Sequence, residues 1–157
     1  MSFEMTSCGV VGQTMPIPND RIEQIGTIIN TEVKRLIQSG VTFFLVAITG
    51  TATLMLAEAV IAARTQTPDI ELEVLLPYRD WCNEQSEAVH YQQVVGQAHT
   101  VLLACEVAHE DSANIANLQL MGFGRCMVVI HHESNKSMQQ YIADARDAEQ
   151  DVHEIII

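Results

Sequence analysis

Residues 40–64, GVTFFLVAITGTATLMLAEAVIAAR, constrain the chain more than any other stretch. The segment 42–48 is a nearly unbroken apolar run rich in Phe, Val and Ile. A strand without alternation is covered on both faces, as in a parallel sheet. Thr49-Gly50-Thr51 then makes a tight polar turn, and a helix runs from Thr51 or Ala52 to about Thr65. A turn of this kind brings backbone N–H groups, hydroxyls and a helix N-terminus to the C-terminal edge of a sheet, where open α/β folds bind anionic ligands.

The remaining residues repeat the same alternation. Strands are predicted over 7–11, 70–76, 100–105, 126–130 and 152–157. Between them, Ile22, Ile25, Ile29, Val33, Leu36 and Ile37 recur at helical spacing. Asp20 and Glu23 are placed for a capping box at the start of that helix, and Ser39-Gly40 for its end. Further helices are expected over 84–97 and 112–121. A last one is capped by Ser134, with Met138, Tyr141, Ile142 and Ala145 on one face. Strand–helix alternation throughout predicts an α/β fold: a three-layer Rossmann-like sandwich, a mostly parallel sheet of about six strands with helices on both faces. At 157 residues it reads as a single domain over 1–157.

Composition narrows the partners. Eight Lys plus Arg against 20 Asp plus Glu give a formal charge of −12, which disfavours the phosphate backbone of a nucleic acid. The four cysteines form no C-x-x-C pair, and Cys105 and Cys126 fall in strands expected to be buried. They read as small apolar core residues with reduced thiols. No basic segment precedes an apolar run near Met1, and Glu58 interrupts the longest apolar helix, so neither a signal peptide nor a membrane span is expected. A reducing cytoplasm fits this usage.

In a parallel sheet all strand exits share one edge. That edge collects Gly12, Gln13 and Thr14 after strand one; Thr49, Gly50, Thr51 and Thr53 after strand two; Tyr78, Arg79 and Trp81 after strand three; Glu106 and His109 after strand four. His131, His132, Asn135, Lys136 and Ser137 follow strand five. The threonine-rich turn offers donors to a phosphate, but on the local sequence alone an ordinary βα turn with a threonine cap is the commoner outcome. Arg79 and Lys136 are the cations of this edge, with a solvated surface charge as their usual fate. Tyr78 and Trp81 serve either to stack on a base or to cover the sheet end. His131-His132-Glu133 suggests a metal, but adjacent side chains on an extended exit diverge, so no metal site is assigned. Glu58, inside an apolar helix, is either a boundary residue or a carboxylate reaching over the crevice. No G-x-S-x-G turn, Walker A loop or G-x-G-x-x-G run is present.

The ordering of these pieces resembles the SLOG superfamily, the Rossmann-like group that includes DprA/Smf and the LOG phosphoribohydrolases, and within it the small YpsA/YspA-like bacterial branch. The resemblance rests on LIQSGVTFFLVAITGTATLMLAEAVIAARTQTPDIELEVLLPY and, more weakly, on NIANLQLMGFGRCMVVI. Ala57-Glu58-Ala59-Val60 and Leu76-Pro77-Tyr78 are its most specific parts. It implies a nucleotide-type ligand across the exits of strands one, two and five. The phosphate would meet Gly12, Gln13, Thr49, Gly50, Thr51 and Ser137, with Arg79 or Lys136 nearby, Glu58 on a sugar hydroxyl, and Asn117 retained from the family's asparagine helix.

The family's other signatures are altered. Its T-G-H-R loop is Val11-Gly12-Gln13-Thr14 here, the acid after the second turn is missing, and the P-G-G-x-G-T-x-x-E cradle is absent. The expectation is therefore a protein that binds a nucleotide or nucleotide-derived ligand with little or no turnover, using no cofactor, as a homodimer or higher homo-oligomer. Two alternatives stand beside it. One is a nucleoside-monophosphate N-glycosidase with Glu58 as the catalytic carboxylate. The other is an oligomeric interaction module with a decayed pocket, using apolar helix faces such as Leu54, Met55 and Ile61.

Overall fold

Parallel neighbours cannot be joined by a hairpin; each needs a crossover, and helices supply it. The computed structural model describes residues 7–14, 16–120 and 122–157. Its strands are β1 (Ser7–Gly12), β2 (Phe43–Ala47), β3 (Glu71–Leu76), β4 (Thr100–Leu103), β5 (Cys126–His131) and β6 (Asp151–Ile156). They lie in the order β4-β3-β2-β1-β5-β6, with every pairing parallel. The helices are α1 (Ile22–Gln38), α2 (Thr51–Ala63), α3 (Ala88–Gln97), α4 (Ser112–Gln119) and α5 (Lys136–Asp147). The expected Rossmann-like α/β sandwich is present, with a sheet that is wholly parallel among the described strands.

Two apolar layers flank the sheet. On one side Ile25, Ile29, Val33 and Leu36 of α1, Leu54, Leu56 and Val60 of α2, and Tyr91 and Val94 of α3 pack on Cys8, Val10, Phe44, Val46, Leu72 and Val74. On the other, Ala116 of α4 and Met138, Tyr141, Ile142 and Ala145 of α5 pack on Val11, Leu45, Leu75, Met127 and Val129. Each Leu or Ile fully buried here contributes roughly 1.5–3 kcal/mol relative to exposure. Helix α2 is apolar on nearly every side because α1 and α3 lie against it as well as the sheet. Leu54 is consequently buried and offers nothing to a partner, while Met55 and Ile61 are half-buried against the same core.

Several local expectations change. Asp20 and Glu23 form no capping box: residues Asn19–Arg21 are a 3-10 turn, and α1 starts without a side-chain cap. Its end is as expected, with Gly40 at φ +108, a conformation L side chains rarely adopt. Helix α3 starts at Ala88, because Cys82–Glu84 form a separate 3-10 turn. The cap of α5 is Asn135, not Ser134: the Asn135 side-chain oxygen accepts from the Met138 amide at 3.1 Å. Strand β4 stops at Leu103, so Cys105 lies beyond it, half-buried, and all four β4 residues are exposed. Residues 1–6 and Met121, the expected helix end, lie outside the described residues. Among the described residues no helix is long and apolar enough to cross a membrane.

Candidate functional site at the strand exits

The sheet order reverses at β1, which has β2 on one side and β5 on the other. In open α/β sheets the crevice outside the strand ends at such a reversal is where ligands sit. The structure brings the loops after β1, β2 and β5 together there, and then fills the space between them with this chain's own polar groups.

Between β1 and β2 the filler is Thr53, fully buried in the first turn of α2. Its hydroxyl accepts the amides of Thr49 (3.1 Å) and Gly50 (3.3 Å) and donates to the Gly50 carbonyl (3.1 Å). The amides expected to face a phosphate are thus taken up within the turn. The Thr53 methyl completes the plug, since a Cβ built on Gly12 would stand 2.7 Å from it. Gly50 is also confined, though less tightly, with the backbone of Gln13 and Thr14 3.2–3.3 Å from where a Cβ would stand.

Between β1 and β5 the filler is Gln13, also buried. Its amide donates to the Ile130 carbonyl (3.0 Å), and its side-chain oxygen accepts from the His132 amide (2.7 Å) and the Asn135 side chain (3.1 Å). Beneath both plugs, the Gly12 carbonyl accepts from Thr49 Oγ1 (3.0 Å) and from Asn117 Nδ2 of α4 (2.9 Å). The candidate residues Gly12, Gln13, Thr49, Gly50 and Asn117 therefore do converge: Thr49 and Asn117 meet at the Gly12 carbonyl, Gln13 ties β1 to the β5 exit, and Gly50 is held by Thr53. The buried Asn117 Oδ1 has no partner among the described residues.

Open space remains to one side. A recess of about 180 Å³ lies at the N-terminus of α2, bounded by Thr14, Gly50, Thr51, Trp81, Glu87 and Tyr91. Thr49 also reaches it. Thr51, in the first turn of α2, lines it, and its amide has no intrahelical partner. Trp81 lines it too, while its indole N–H is sealed from solvent with no partner among the described residues. Burial and then the charges of Glu87, Cys82 and Glu58 push the Tyr91 phenol up to about 12, so it remains a neutral donor. Trp81 meets Tyr78 edge-on, with centroids 5.8 Å apart at 86°, and Tyr78 in turn donates to Glu84. Trp81 thus packs against the core and forms a wall of the recess. Tyr91, Glu87 and Ser86 were not among the candidates read from the sequence, where they look like ordinary members of a moderately polar helix.

The other candidates lie elsewhere. Glu58 does not reach the crevice. It is on the outer side of α2, beside Gly26 and Ile29 of α1, and faces His90 of α3 at 3.7 Å. Arg79 is exposed on the turn after β3, and Lys136 and Ser137 are exposed at the start of α5. Neither Arg79 nor Lys136 makes an ion pair among the described residues.

No family model and no curated protein matches the chain.

At the β5 exit, His131 and His132 diverge. His132 is exposed and bonds Ser134 through its ring (2.7 Å). His131 is buried, with Nδ1 3.0 Å from the His132 carbonyl and Nε2 3.0 Å from Glu154 on β6. Both ring nitrogens face acceptors, so both bonds form together only with the doubly protonated ring. Glu154 also accepts from Arg146 at 2.9 Å. Burial raises the Glu154 carboxyl, but the hydrogen bonds and charges of Arg146 and His131 outweigh it and hold the group below its ordinary value. A depressed carboxylate contributes stability above its unfolded pKa of about 4.3, and that contribution is lost as pH falls through the folded value. Wild type should therefore lose its advantage over Glu154→Gln progressively as pH falls below the unfolded value, visible as a gap in melting temperature at pH 6 that narrows on acidification. Solvent screening at this one-third-exposed side chain limits the difference to about 0.5–1 kcal/mol. A gap that stays constant from pH 6 to pH 3 would contradict the assignment.

Proposed function

We propose that this chain is a SLOG-type protein that binds a nucleotide-derived ligand without turning it over, in the recess at the N-terminus of α2. One observation carries the reading: a single recess on the strand-exit edge combines Thr51, in the first turn of α2, with the side chains of Trp81, Glu87 and Tyr91. A recess of about 180 Å³ is smaller than the several hundred Å³ that enclose a whole organic ligand. It takes one ring or one phosphate, with the rest of the ligand lying open at the rim. Glu87 suits a sugar hydroxyl, Trp81 and Tyr91 present aromatic surface, and the amide of Thr51 suits a phosphate oxygen.

Turnover is disfavoured by the position of Glu58, which is on the outer face of α2, away from the recess. Nearest the strand reversal, the Thr49 and Thr53 hydroxyls donate to backbone carbonyls and the Gln13 side-chain oxygen accepts from the β5 exit, so neither hydroxyl stands ready as a nucleophile. Free, mostly buried thiols accord with a reducing, cytoplasmic setting.

Calorimetry and thermal shift with AMP, adenosine, ribose 5-phosphate and inorganic phosphate test the reading. At least one of the four should bind, and Trp81→Ala, which removes an aromatic wall of the recess, should weaken that binding about fivefold. Absence of heat and of any shift with all four probes removes the proposal. Release of free base from AMP that disappears in Glu58→Gln would replace it with the hydrolase.

A further inference from the structure

The two edges of the sheet are built differently. On the outer strand β6, His153 lies between Asp151 (2.9 Å) and Glu32 of α1 (3.3 Å), with Arg35 against the same ring and Arg146 on Glu154. Charged side chains along an outer strand are how native sheets prevent further strand addition. The opposite edge, β4, has no such protection. Residues 98–105, AHTVLLAC, contain no Asp, Glu, Lys or Arg, and no proline or glycine interrupts them. Val101, Leu102 and Leu103 are 38%, 42% and 39% exposed, and Val107 and Leu118 nearby are 77% and 53% exposed. Together they leave on the order of 400 Å² of apolar surface bare, the size of the largest patch on many monomers, which is often functional.

The register shows which backbone groups are available. Val74 stands opposite Val101 in the parallel β3–β4 ladder, and the Ala104 amide donates to the Leu76 carbonyl at 2.8 Å. In a parallel ladder alternate residues bond to the same neighbour. Thr100, Leu102 and Ala104 therefore turn their amides to β3. Val101 and Leu103 direct both amide and carbonyl outward.

We infer that β4 is the self-association surface of this protein: two copies pair their β4 strands antiparallel about a two-fold axis at Leu102, making one continuous twelve-stranded sheet. Val101 of each copy exchanges both backbone hydrogen bonds with Leu103 of the other, so all four outward pairs of groups are satisfied. Leu102 then meets its own counterpart on the axis. The two-fold makes the contact self-complementary and closes it at a dimer. Charge favours a second copy over another partner. A chain of net charge −12 repels itself through most of its surface, and this neutral stretch is where two copies can approach without facing like charges. A basic partner would gain nothing from it. The apolar area is about half of the roughly 800 Å² per partner of a standard interface, so dissociation in the micromolar range is expected.

The test is sedimentation and light scattering from about 1 to 200 µM, together with hydrogen exchange resolved by residue. Wild type should pass from monomer to dimer over this range, and the Val101 and Leu103 amides should gain protection with concentration. Leu102→Glu, placing two carboxylates on the axis, should hold the protein monomeric throughout. Val101→Pro removes only an outward N–H and leaves the β3 ladder intact, so it should also prevent dimer formation while retaining the wild-type circular dichroism. A wild type that stays monomeric overturns the inference. A dimer that survives in both variants, or larger assemblies in place of a dimer, overturns it too. Ligand binding in the recess is measured separately, and either result stands without the other.

Discussion

Thr53→Val should lower the free energy of unfolding by about 2–4 kcal/mol, although the two side chains have nearly the same shape. The loss has a defined origin. Thr53 Oγ1 is the partner of two amides, Thr49 and Gly50, in a turn whose residues are buried. A methyl in its place leaves both donors without a partner and out of water, and each such group costs about 1–3 kcal/mol. The Gly50 carbonyl also loses a donor. Thr53→Ser is the control. It keeps the hydroxyl and removes one methyl, at roughly 0.8 kcal/mol. Urea melts followed by circular dichroism should show a large fall in midpoint for Val and a small one for Ser, at constant m-value. A Val variant no less stable than Ser would mean that the turn is solvated and that Thr53 does not hold it.

The parts of this architecture that were legible in the sequence are those fixed by neighbours along the chain. The run through Phe43 and Val46 announces a strand covered on both faces, Leu54 to Val60 a helix with little exposed surface, and Gly40 a helix end. The misplaced helix caps are a matter of one residue: Ser134 and Asn135 are both good caps, and which one serves depends on the exact point where the chain leaves β5. Strand β4 was misjudged for a different reason. Val101-Leu102-Leu103 has the composition of a central strand, and only the strand order makes it an edge. The crevice illustrates the same limit. Gln13 and Asn117 read as groups available to a ligand, because their real partners are set by the fold. Gln13 is 119 residues from His132, and Asn117 is 105 residues from Gly12. Glu58 is a matter of helix rotation: its neighbours Ala57 and Ala59 are buried, and it faces outward to His90.

The fit between Gly12 and Thr53 gives the other large effect. Gly12→Ala should destabilise the protein by about 2–3 kcal/mol, within the range for overpacking a well-filled site. Its backbone is not in a conformation reserved for glycine; the obstacle is the Thr53 methyl, 2.7 Å from where the new Cβ would stand. Rotating Thr53 about χ1 would clear that contact but would carry the hydroxyl away from the Thr49 and Gly50 amides. Neither arrangement satisfies both demands, so the strain cannot relax cheaply. Removing the methyl resolves it: Gly12→Ala in a Thr53→Ser background has room for the Cβ and keeps every hydrogen bond of the turn. The double variant should therefore be more stable than Gly12→Ala alone, with a coupling of about 1–2 kcal/mol in the mutant cycle. Simple additivity would place the Cβ contact elsewhere, against the Ile130 carbonyl 3.4 Å away. In that case the plug between β1 and β2 would not be the Thr53 methyl, and the space at the strand reversal would be open to a ligand after all.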